Sequence, residues 1–104
     1  MVAFVGNTNV LKLRGLKSAL DDEYINDATV SVTVKTVAGV NVTGQTWPTT
    51  MGYVANSDGD YRALLESDLA VVAGVKYLAF IEANAGGEAI GHWEFEFIPK
   101  TRRL

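Results

Sequence analysis

Ala28-Thr29-Val30-Ser31-Val32-Thr33-Val34-Lys35-Thr36 decides the fold class. Ala28, Val30, Val32 and Val34 alternate with Thr29, Ser31, Thr33 and Lys35. A period of two places one face in a core and the other in water. β-Branched side chains on both faces suit a pleated backbone, so the stretch reads as a strand.

The same period recurs on both sides of it. In Val10 to Leu16, Leu11 and Leu13 alternate with Lys12 and Arg14, and Leu16 follows past Gly15. In Ala89 to Ile98, Trp93, Phe95 and Phe97 share one face, while His92, Glu94 and Glu96 share the other. The aromatic face is expected in the core. Gly74 to Ala83 is apolar on both faces, as in a strand that is central or faces a partner.

Turn chemistry separates these runs. Asn56-Ser57-Asp58-Gly59-Asp60 is the strongest turn, because Asp-Gly supplies the positive φ of tight hairpins. Met51 to Val54 and Tyr61 to Leu65 then read as the strands on either side. Val37 to Val40 is a turn, and Val42 to Thr46 is a short strand or loop interrupted by Gly44. Pro48 has no N–H for a ladder and belongs at a strand start, an edge or a bulge. Glu66-Ser67-Asp68-Leu69 reads as a turn or a single helical turn, and Asn84 to Glu88 as a hairpin loop. Leu16 to Leu20 is open to a helical turn. An extended hairpin through the acidic turn Asp21-Asp22-Glu23 is the preferred reading, since acidic side chains bond nearby backbone in loops. The result is about seven strands in one antiparallel β-sandwich spanning residues 1–104.

Bulk composition fits that reading. The chain has 104 residues, of which 48% are apolar and 20% charged, the balance of one globular domain. It contains no cysteine, which excludes a disulfide scaffold, a thiolate zinc site and a cysteine nucleophile. The net charge is -3 and the nine Lys and Arg residues are scattered, so no nucleic-acid partner is expected. No apolar run approaches the roughly 20 residues of a membrane span, so no membrane partner is expected either. Met1 to Gly6 lacks the positive flank of a signal peptide, and the expectation is a chain made inside the cell and not secreted by such a peptide.

Residues that might carry chemistry have simpler readings. His92 is the only histidine and alternates with the aromatic face, so it reads as a surface or interface side chain. No partners for a triad or a metal site are signalled around it. Asn56, Asp58 and Asp60 have the alternate spacing of a calcium loop, but Leu65 stands where a closing glutamate belongs, and a plain turn wants the same residues. Asp21, Asp22, Glu23 and Asp27 read as a solvated loop. Glu94 and Glu96 read as a wet strand face and not as an acid–base pair. Asn41-Val42-Thr43 has the pattern of a glycosylation acceptor without a secretory signal, and Gly86-Gly87 is followed by no helix that would make it a phosphate loop. Trp93 is assigned to packing, and Trp47 equally to packing or to an interface. The chain is therefore read as a non-enzyme with no cofactor.

Gly59-Asp60-Tyr61-Arg62-Ala63-Leu64-Leu65, Leu69, Gly74-Val75-Lys76-Tyr77, Gly87 and the final strand Gly91 to Phe97 form a Gly-x-Tyr…Leu…Gly-x-x-Tyr pattern. It resembles immunoglobulin-like and transthyretin-like β-sandwich modules. With Leu13-Arg14-Gly15-Leu16, Asn26 to Val30 and Trp47-Pro48, most of the chain is similar to small proteins of tailed-phage and prophage structural gene clusters. The resemblance implies a virion structural or assembly protein, a head or tail accessory, acting through protein–protein contacts. It implies partners among other virion proteins and further copies of itself, as a homo-oligomer. It places the chain in the bacterial cytoplasm when made and then in the virion. Candidate interface residues are Trp47, Tyr53, Tyr61 and His92. A second reading is a carbohydrate- or surface-ligand-binding module that uses Trp47, Tyr53 and Tyr61 as stacking platforms.

Overall fold

A computed structural model describes residues 3–18, 22–86 and 88–101. Met1, Leu20, Asp21 and Gly87, named in the sequence reading, lie outside the described residues. Among the described residues six strands form: β1 (Asn9–Leu13), β2 (Thr29–Thr36), β3 (Thr49–Tyr53), β4 (Tyr61–Leu65), β5 (Tyr77–Ala85) and β6 (Glu88–Phe97). All neighbours are antiparallel, in the order β1-β4-β3-β2-β5-β6, and the sheet curls into a half-barrel. No helix occurs among the described residues.

The period-two pattern sets which face is inside. Val30, Val32 and Val34 of β2 stand opposite Ala83, Ile81 and Ala79 of β5, and all are buried. Across the sheet, Leu11, Met51, Ala63 and Leu65 fill the same interior. Each fully buried Val or Leu contributes roughly 1.5–3 kcal/mol. Val42 and Leu69, from the connections at the lower end, close the core there.

The expected count of about seven strands becomes six. Val42 to Thr46 is not a strand. Asn41 bridges Lys35, and the Val42 N–H donates to the Val34 carbonyl, so the chain leaves β2 along the line that β3 later follows. It then bulges outward before Pro48, which stands just ahead of β3. Gly44 makes this bulge possible. Its φ is +99°, and a Cβ there would lie 2.2 Å from the Asp68 carbonyl oxygen. Gln45 fills the backbone gap left beside β4. Its Nε2 donates to the Leu64 carbonyl at 3.1 Å, and its Oε1 accepts from the Glu66 N–H at 2.8 Å.

Lys17 bridges Tyr24 in antiparallel fashion and the Ser18 N–H donates to the Glu23 carbonyl, while residues 19–21, where a helical turn and a hairpin would differ, lie outside the described residues. At the other end of the sheet, Ala3 to Val5 run beside Lys100. The Val5 N–H donates to the Lys100 carbonyl, and the Lys100 N–H donates to Ala3. The Asn9 side chain holds Phe4 through both its N–H and its carbonyl. This short segment links the start of β1 to the end of β6, and among the described residues no other strand pairs with either edge.

Candidate functional site

His92 projects from the outer face of β6, opposite Glu82 on β5. Its Nδ1 lies 3.6 Å from Glu82 Oε1, and its Nε2 lies 3.1 Å from Glu94 Oε1. The ring packs near Phe80, with centroids 6.2 Å apart. Lys35, next along the same face, holds its Nζ 5.5 Å from the centre of the Phe80 ring. Ser31, Thr33 and Pro48 complete a shallow polar groove around this cluster. The arrangement follows from register: β2, β5 and β6 lie side by side, so even-numbered residues of β5 and β6 share the wet face with the odd-numbered residues of β2. His92, Glu82 and Glu94 are each at least half exposed, so these contacts are worth little as stability. Among the described residues, no group of three His, Asp or Glu side chains is arranged to hold a metal ion.

The opposite wing of the sheet carries the other sign. Lys12 on β1 stands directly opposite Arg62 on β4, and Arg14 follows on the same face. Like charges facing each other across strands cost a few tenths of a kcal/mol, up to about 1. Among the described residues, no ion pair joins Lys12, Arg14 or Arg62 to a carboxylate. Asp60 lies nearby, with its Oδ1 accepting from the Gly15 N–H.

The candidate interface residues do not form one surface. Tyr61 is buried, with only 1% of its area exposed, and is unavailable to a ligand. Its hydroxyl donates to the Ile25 carbonyl and accepts from the Ala28 N–H. Burial pushes its phenol above the usual tyrosine value, Asp27 and Tyr53 add to that, and the Ala28 bond opposes it. Tyr53 is exposed, lies edge-on to Tyr61 and donates its hydroxyl to the Ser57 carbonyl. Trp47 sits at the far end of β3, half-buried, with its indole N–H donating to Val42 at 2.6 Å. The proposed stacking platform is therefore not assembled: one ring is inside and the other two are at opposite ends of a strand.

Trp93, which sequence reasoning assigned to packing, is only partly covered. It shares the inward face with Phe95 and Phe97, but it remains 36% exposed. Among the described residues no strand lies beyond β6, so the indole sits at an open edge of the sheet. The ring folds over Gly91, where a Cβ would lie 2.2 Å from it. Period alone cannot reveal this, because edge position depends on strand order.

Comparison with protein-family models, with curated proteins and with solved structures found no match.

Proposed function

We propose that this protein is a non-enzymatic structural or assembly component of a phage or prophage virion, a head or tail accessory acting through protein–protein contacts. The observation that carries this reading is β6. It is the longest strand, ten residues, yet it lies at the edge of the sheet with Trp93 exposed along it. Natural sheets keep edge strands short or covered, because free N–H and C=O groups recruit other chains. A long open edge suits a protein whose partner covers it.

The strand order supports the immunoglobulin-like form of the proposal. Taken as strands B to G, β1 to β6 give the neighbour relations B-E-D and C-F-G of constant-type domains, although pairing of β2 with β3 joins the two groups into one curled sheet. The resemblance to phage structural proteins then supplies the setting. Mass spectrometry of purified tailed-phage particles from the strain encoding the chain tests the reading. The chain present in fixed ratio to head or tail proteins supports it, and particles free of the chain contradict it.

A further inference from the structure

Among the described residues β1 and β6 are the two edges of the sheet, and these edges are complementary in charge, in apolar pattern and in hydrogen-bonding parity. On β4, the Leu64 carbonyl and Glu66 N–H are taken by Gln45, and the Asp60 carbonyl accepts from Val54. Even-numbered residues of β4 thus face β3, and odd-numbered ones face β1. Their partners Asn9, Leu11 and Leu13 use their backbone groups toward β4, so Val10, Lys12 and Arg14 direct theirs toward open space.

The other edge obeys the same rule. The Pro99 carbonyl accepts from Gly74, on the β5 side, whereas the Lys100 N–H and C=O serve Ala3 and Val5. Two-residue alternation sends the backbone groups of Ile98, Glu96 and Glu94 to the free side as well. Acidic side chains therefore flank the open groups of β6, and basic side chains flank those of β1.

We infer that a second copy of this chain docks by antiparallel pairing of its β1 edge with the β6 edge. The inference rests on the protein-contact reading above and names the partner. One register satisfies every position. Val10 stands opposite Ile98, Lys12 opposite Glu96 and Arg14 opposite Glu94 on the outer face. Leu11 stands opposite Phe97 and Leu13 opposite Phe95 on the inner one. Val10 and Ile98 are 45% and 51% exposed in the single chain, so their pairing removes apolar surface from water. Lys12 and Arg14, which no carboxylate pairs within the chain among the described residues, gain Glu96 and Glu94. Lys76 lies 3.4 Å from Glu96, but that pair is exposed and rearranges at little cost. The segment Ala3 to Val5 already occupies Lys100, so the docked strand ends just short of it. The contact joins two different edges. It therefore continues into a ring or filament unless two copies satisfy both edges at once.

Reversing the charges separately tests this. Sedimentation velocity is run on the wild type, on Lys12→Glu/Arg14→Glu, on Glu94→Lys/Glu96→Lys and on an equimolar mixture of the two variants, with circular dichroism as the check of folding. The wild type is expected to associate, each variant to associate at least about tenfold more weakly, and the mixture to recover wild-type association. Glu96→Pro provides an independent variant. It removes an N–H that points out of the ladder, a place where an edge strand accepts proline, and it is expected to weaken association as well. Loss of association in the β6 variant alone means β6 pairs with β6 and overturns the inference. A mixture that stays monomeric overturns it too, as does a wild type that is monomeric at about 1 mM. In each of these cases the virion reading still stands or falls on the particle composition.

Discussion

The Tyr61 hydroxyl donates a 2.7 Å hydrogen bond to the carbonyl of Ile25, 36 residues away in sequence. That bond ties the start of β4 to the long connection between β1 and β2. The hydroxyl also accepts from the Ala28 N–H, just ahead of β2. Tyr61→Phe keeps the ring and leaves both backbone groups without this partner. Such losses cost about 1–3 kcal/mol, and chemical denaturation is expected to show a fall of that size.

The same residue makes stability depend on pH at the alkaline end. Burial raises the Tyr61 phenol above its ordinary value of 10.0. The folded state then holds the proton more tightly than the unfolded state does. The stabilisation is complete below pH 10.0 and is lost as pH rises through the folded value. Midpoints measured across this range are expected to fall for the wild type, and to fall less steeply for Tyr61→Phe.

Gly59 lies against the backbone of Leu16. Its φ is +72°, and a Cβ there would stand 2.5 Å from the Leu16 carbonyl oxygen. The Leu16 N–H also donates to the Gly59 carbonyl at 2.9 Å. Gly59→Ala combines an unfavourable backbone conformation with overlap against rigid main chain. A cost of at least about 2 kcal/mol is expected from strain of this kind. Thermal unfolding checks it, and a midpoint within experimental error of the wild type would contradict this account of the turn.

Gln45 acts as a substitute for missing strand. Gln45→Ala removes its donor and acceptor from the Leu64 and Glu66 backbone groups, and an expected loss is about 1–2 kcal/mol. Gln45→Glu keeps the acceptor and loses the donor, so denaturant titration is expected to place it between the wild type and Gln45→Ala.

Much of this architecture is legible from residue types. Asp-Gly marks the β3–β4 turn, and β4 has the bounds that its sequence suggests. The burial of Tyr61 was also available: Arg62 belongs on the wet face, which turns Tyr61, Ala63 and Leu65 inward together. Its aromatic character favoured an interface reading instead. Other features required the strand order. Trp93 obeys the period of β6, but its exposure follows from the place of β6 at the edge of the described sheet. The opposition of Lys12 to Arg62, and the distance between Trp47 and Tyr53 along β3, also arise from pairings between residues far apart in sequence.

The most direct test of a protein that works by covering its open strand edges is its mass in solution as concentration rises. Light scattering on the purified chain is expected to move from the 11.2 kDa monomer toward multiples of that mass. A mass that stays at 11.2 kDa up to about 1 mM would contradict association through β1 and β6.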